Sequence, residues 1–235
     1  MDTHVRMEIG GPVAELVLAR PRKRNAVTVA MMAAMTRAVA EVGGRDDVRA
    51  LVIRGEGPDF CAGEDVGGLR IRTAGEARAY LDTPLGLMRA LETLPKPVVV
   101  AVHGHALGFG AEVLLVADGV FAGPDAVIGC AEIDHGLVPP VLLTRGLGTI
   151  RRRRAVALAL LGERLSADEA VRAGLAHAVV PDPREAAMAA AREWAGWSPH
   201  GMTALKRWLA IGIGADLDQA REFLPEIMLR AGVSS

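Results

Sequence analysis

The chain has 235 residues, a formal net charge of −1, 51% hydrophobic residues and 23% charged residues. This suits one large domain, or one domain with a small helical annex, and it excludes a global electrostatic pull towards nucleic acid or an anionic membrane. No apolar run reaches the roughly 18 residues that span a bilayer, and "MDTHVRMEIG" has no signal-peptide core, so a cytoplasmic protein with no membrane or nucleic-acid partner is expected.

In chain order, "VRMEI", "GG" and "VAELVLAR" predict a hairpin of two alternating runs on a glycine turn. "TVAMMAAMTRAVAEV" has helical spacing and a cap at Thr28. "RALVIRG" reads as a buried strand, and "GEGPDFCAGEDVGG" as a long glycine-rich loop. A helix then ends near "MRALETL", where Pro95 and Pro97 stop it before the strand "VVVAV". The turn "HALGFGAE" leads into the short apolar helix "AEVLLVA", and short strands "GVFAG" and "AVIG" precede the loop "CAEIDHGLVPP". This alternation predicts an α/β fold with mainly parallel pairing. From about Val141 the pattern reads as almost wholly helical, with a capping box at Ser166 and Glu169 and later helices at Arg184–Trp197, Met202–Ile211 and Leu217–Leu229. The division expected is therefore a core domain over 1–140 and a helical region over 141–235. Cys61 and Cys130 read as free thiols in a reducing compartment.

Three stretches carry candidate chemistry. The "GFG" of "HALGFGAE" fails the dinucleotide fingerprint: Val113 stands where the third glycine belongs, and Glu132, at the acidic offset, follows two short strands rather than one crossover helix. As a tight turn into a buried helix it leaves Glu112 to explain, because a charge among apolar residues is costly unless used or paired. The helix N-terminus can stabilise that carboxylate, so a structural role stays open beside a chemical one. Glu132, between small apolar residues and a glycine turn, raises the same choice; together the two suggest paired carboxylates for acid–base work. The loop "FCAGEDVGG" can present turned backbone N–H groups to an anion or oxyanion. His103 and His105 share a strand face with no third ligand in view, so no metal is expected. The run Arg151–Arg154 reads as a solvated helix start, with an anionic partner as the alternative.

Taken together, "LARPRKRNAVT", "FCAGEDVGGL", "VVVAVHGHALGFGAEVLLVADGVFAG", "IGCAEIDHGLVP" and "GERLSADEAVRAGLAHAVVP" resemble the crotonase superfamily, the enoyl-CoA hydratase/isomerase family, in order over roughly residues 5–210. The resemblance implies an α/β crotonase-like spiral of ββα units with a C-terminal helical region that builds trimers or dimers of trimers. It also implies an acyl-CoA thioester as substrate and no separate cofactor. The family's oxyanion hole falls on the backbone N–H groups of Glu64 and Phe109, and its two hydratase acids fall on Glu112 and Glu132. Coenzyme A contacts carry over to Arg24, Ala26, Ala62, Gly63, Asp65, Val66 and Gly67, with Arg22, Lys23 or Arg24 near the phosphates. Family isomerases typically keep only the second acid, so retaining both implies an enoyl-CoA hydratase. The alternatives are a dehydratase, isomerase or decarboxylase acting on an acyl-CoA or acyl-carrier-protein thioester, and, in another class, a non-catalytic acyl-CoA or RNA-binding member. Two departures stand out. Pro139–Leu143 reads "PPVLL" where hydratases often read "PGAGG", which looks closer to branched-chain or methylglutaconyl-type members. The ending "LPEIMLRAGVSS" falls short of the family's longer last helix, which implies weaker partner contacts to the coenzyme A phosphates and strengthens a carrier-protein thioester as the alternative.

Overall fold

A computed structural model describes residues 4–68, 71–130 and 132–211. Strands β1 (Val5–Gly10) and β2 (Val13–Leu18) form the expected antiparallel hairpin, with Gly10 opposite Val13. Helix α1 (Val29–Gly44) starts on Thr28, whose hydroxyl accepts from the Met31 N–H at 3.1 Å. Its stripe of Met31, Met35, Val39 and Val42 is buried, as the spacing predicts. Then come β3 (Ala50–Gly55), α2 (Ala74–Thr93), β4 (Val98–Val102), β5 (His105–Leu107), α3 (Phe109–Leu114), β6 (Gly119–Ala122) and β7 (Val127–Gly129). A π-helical turn (Leu142–Gly146) runs into α4 (Leu147–Thr149), followed by α5 (Arg152–Leu160), β8 (Arg164–Ser166), α6 (Ala167–Ala173), β9 (Ala178–Val179), α7 (Pro183–Ala195) and α8 (Pro199–Ile211).

The strands form a six-stranded sheet, β1-β2-β3-β4-β6-β9, parallel apart from the β1–β2 hairpin, and a small sheet, β5-β7-β8. The run "VVVAV" of β4 is apolar throughout because both of its faces are covered. Val98, Val100 and Val102 join the main core with α1 and α2, while Val99 and Ala101 pack with Ala187, Ala191 and Ala195 of α7. That alanine row repeats every fourth residue, so α7 lies close against the sheet.

This arrangement revises the reading of residues beyond 141 as almost wholly helical. The stretch supplies β8 to the small sheet and β9 to the edge of the large one, strands of three and two residues that are too short to leave a periodic pattern. The apolar face of α7 is covered by the chain's own sheet. The helix read at Leu217–Leu229 lies outside the described residues. Ser166 and Glu169 form the expected capping box, and Cys61 and Cys130 are both free and buried. Among the described residues no helix is long and apolar enough to cross a membrane.

A charged clasp fastens α7 to the sheet. Glu15 of β2, 7% exposed, accepts from Arg54 at 2.7 Å and from Arg184 of α7 through both oxygens at 2.9 Å. The Arg184 and Arg54 guanidinium groups hold its carboxyl below the ordinary range. Hydrogen bonds to charged groups are worth about 1.5–3 kcal/mol, so Glu15→Gln is expected to cost about 2 kcal/mol at neutral pH. The native carboxyl titrates below its unfolded value, so its stabilisation is present above the unfolded value and lost as pH falls through the native one. Thermal melts of the two proteins should therefore differ at pH 7 and converge in acid.

Candidate active site

Two glycine turns meet behind one cavity. Gly108, at φ 52° and ψ −120°, turns the chain from β5 into α3 and donates to the Gly129 carbonyl at 2.8 Å. Gly63, at φ 106°, lies against it: a side chain at 63 would stand 3.2 Å from the Leu107 carbonyl oxygen. Val27 N–H donates to Gly63 O and Asp65 N–H to Val27 O, so in this parallel bridge the Glu64 N–H is turned away from Val27. The Phe109 N–H opens a helix and has no carbonyl a turn behind it. Among the described residues neither N–H has a protein acceptor. Phe109 itself is 3% exposed and walls the cavity from the core side.

The cavity, about 260 Å³, is lined by Ala62, Gly63, Glu64, Phe109, Glu112 and Glu132 among others. Glu112 rises from the first turn of α3 and is 5% exposed. Its Oε1 accepts from the Val141 and Leu142 N–H groups at 2.7 and 3.0 Å, while Oε2 accepts no protein hydrogen bond among the described residues. Glu132 sits on a 3₁₀ turn, and its Oε2 is buried without a partner among the described residues. A buried acceptor left unpaired costs about 1–3 kcal/mol, which suits a group kept for a ligand. Burial pushes both carboxyls up: Glu112 reaches about 8, against the opposing pull of the Leu142 and Val141 N–H groups and with added repulsion from Glu132 and Glu64. A buried pair of this kind can hold a proton at neutral pH.

That shift has a consequence for stability. Glu112 keeps its proton in the folded chain over a range where the unfolded chain has lost it, so its contribution is full below the unfolded value and disappears as pH rises through about 8. Glu112→Gln, which cannot ionise, should overtake the parent in melting temperature by on the order of 5 °C at pH 9 and match it near pH 4. Melting curves across that range check it.

The remaining sequence candidates lie beside the cavity. Val66 reaches its wall, whereas Arg24, Ala26, Asp65 and Gly67 do not. Ala62 N–H donates to Arg24 O at 2.9 Å, and the Arg20 guanidinium donates to both Ala26 O (2.9 Å) and the Asp65 carboxylate (2.7 Å). Arg22, Lys23 and Arg24 are exposed on the same turn. His103 binds the Gly57 carbonyl and His105 binds Asp59, so both histidines tie strand ends to the loop at 57–59. In the arginine run, Arg151 stands at the N-cap position of α5 without a side-chain cap bond, and Arg154 pairs with Glu163 at 2.6 Å.

Three functional contacts were not foreseen from the sequence. Asn25, fully buried at φ 55°, accepts from Arg20 N–H and donates to Glu56 and Asp59 carbonyls, which locks the turn beside Ala62. Pro140 begins a helical stretch, where its missing N–H costs nothing, and hands Glu112 the next two amides. Tyr80 of α2 donates to Glu64 across the cavity wall.

Two sheets, covering helices and two glycine turns over a carboxylate-lined cavity define the crotonase fold. The solved enoyl-CoA hydratase of Mycobacterium smegmatis superposes with a TM-score of 0.90 at 25% identity, covering 99% of this chain and 92% of that one. The chain belongs to the enoyl-CoA hydratase/isomerase family, whose model matches residues 8–228. It is similar to the Mycobacterium tuberculosis protein named "Probable enoyl-CoA hydratase EchA17", at 36% identity over 83% of this chain and 75% of that one. It is also similar to the 1,2-epoxyphenylacetyl-CoA isomerase of Escherichia coli, at 37% identity over 72% of this chain and 67% of that one.

Proposed function

We propose that the chain is a 2-enoyl-CoA hydratase that adds water reversibly across the double bond of an enoyl thioester. One observation carries this reading: both Glu112 and Glu132 line the cavity that is also walled by Glu64 and Phe109. The thioester oxygen takes hydrogen bonds from the Glu64 and Phe109 N–H groups, each such donor being worth about 3–4 kcal/mol to the enolate-like transition state. Water attacks the β-carbon and gives a proton to one carboxylate, while the other carboxyl delivers a proton to the α-carbon. Both protons are accounted for by the pair, so the reaction takes no cofactor beyond the thioester. In this reading Arg22, Lys23 and Arg24, exposed on one turn, meet the coenzyme A phosphates, and Ala26 and the stretch Ala62–Gly67 meet the rest of the nucleotide. The same geometry suits a carrier-protein thioester.

A second reading, an isomerase using Glu132 alone, draws on the unequal partners of the two acids: Glu112 is held by two amides, and Glu132 has an unpaired oxygen. Loss of enoyl absorbance from crotonyl-CoA, repeated with branched enoyl-CoAs, tests hydration; turnover of 3-enoyl-CoA without hydration would favour the isomerase. Assembly as a trimer or dimer of trimers is part of the proposal, supported by the exposed Trp197, Leu205 and Leu209. Sedimentation at micromolar concentration should show it, and a monomer there would remove it.

A further inference from the structure

The cavity wall carries a polar pair of side chains that the proposed reaction does not use. Along α2, Tyr80, Leu81, Pro84, Leu85 and Met88 line the cavity on one helical face. Four of the five form an apolar wall; Tyr80 alone is polar. Pro84 has no N–H to give the Tyr80 carbonyl one turn earlier, although α2 runs unbroken through both. The Tyr80 hydroxyl donates its one hydrogen to Glu64 Oε2, and Glu64 Oε1 accepts no protein hydrogen bond among the described residues. Towards the cavity the pair therefore offers acceptors only: a carboxylate oxygen and the phenol lone pairs. Glu64 shares this space with Glu112, Glu132 and Asp134, and Arg164 and His135 also reach its wall.

We propose that Glu64 and Tyr80 select the acyl group, favouring a chain that bears a hydroxyl to donate to them and rejecting a chain that bears its own carboxylate. This rests on the reading of the cavity as an acyl-thioester site. It argues against a methylglutaconyl-type substrate, whose distal carboxylate has no hydrogen to donate and would meet the acceptors of Glu64 and Tyr80 in a largely apolar space. A hydroxyl-bearing chain instead satisfies the acceptors that a plain alkyl chain leaves unpaired, the kind of polar match from which sites draw specificity.

Binding of three saturated thioesters of equal backbone length, measured by calorimetry, separates the possibilities. The unmodified protein should bind 4-hydroxybutyryl-CoA about 5-fold to 10-fold more tightly than butyryl-CoA, and succinyl-CoA at least about 10-fold more weakly than butyryl-CoA. Tyr80→Phe should reduce the hydroxyl preference, and Glu64→Gln should restore much of the succinyl-CoA binding. Equal binding of the three thioesters to the unmodified protein would overturn the selectivity while leaving the acyl-thioester site standing. Binding of none of them would overturn both. A uniform change in all three affinities on Glu64→Gln or Tyr80→Phe would also overturn the proposal, since it would mark the pair as structural.

Discussion

Glu112→Gln or Glu132→Gln is expected to lower the rate of enoyl-CoA hydration at least about 100-fold, the usual contribution of a positioned general acid or base. The substitutions keep the shape of each side chain. An amide oxygen at 112 can still accept from Val141 and Leu142, so the turn that carries these amides should stay in place. Neither glutamate is placed at the nucleotide turn, so the affinity for free coenzyme A should barely change. The double variant should lose much less than the product of the two single losses, because both acids act on one water and one thioester. Steady-state kinetics of the three variants, with coenzyme A binding alongside, checks each part. Should Glu112→Gln keep full turnover while Glu132→Gln abolishes it, the isomerase reading would take its place.

Gly108→Ala should be nearly as damaging, by a different route. At φ 52° and ψ −120° the residue occupies backbone space closed to an ordinary side chain. An added Cβ would also lie 3.1 Å from Glu132 Oε1 and 3.7 Å from the Gly63 Cα. The turn must then shift, and the shift moves the Phe109 N–H, the Glu132 carboxyl and the contact with the Gly63 turn together. Loss of one aligned oxyanion donor costs about 10²–10³ in kcat, and the strained backbone about 1–3 kcal/mol of stability. Gly11→Ala provides the control. Gly11 also has a positive φ, 64°, but it sits in the β1–β2 hairpin with open space around it. That variant should lose some stability and keep its kcat, whereas equal kcat losses in both would mean that strain alone explains the effect.

The sequence was most informative where local chemistry determines structure. Thr28, Ser166 with Glu169, and Pro95 with Pro97 mark helix ends because caps and proline act within a few residues. The run of β4 was legible because two covered faces leave no polar alternation. What stayed hidden depends on distant partners. Glu112 meets Val141 and Leu142 across about 30 positions, and Tyr80 meets Glu64 across 16. Strands β8 and β9 are set by their neighbours rather than by their own two or three residues. The alanine face of α7 could be seen as apolar, but not that the chain's own sheet would cover it. At the candidate site, the two glutamates and the two glycine turns were legible as a set through the family resemblance, whereas spacing alone could not bring them to one cavity.

The most direct test of the central reading is to incubate the protein with crotonyl-CoA in heavy-oxygen water and weigh the thioester product. Hydration by the Glu112–Glu132 pair predicts 3-hydroxybutyryl-CoA carrying one solvent-derived oxygen at the β-carbon, formed much more slowly by either glutamine variant. A recovered thioester without solvent oxygen, or an unlabelled isomer with a displaced double bond, would contradict it.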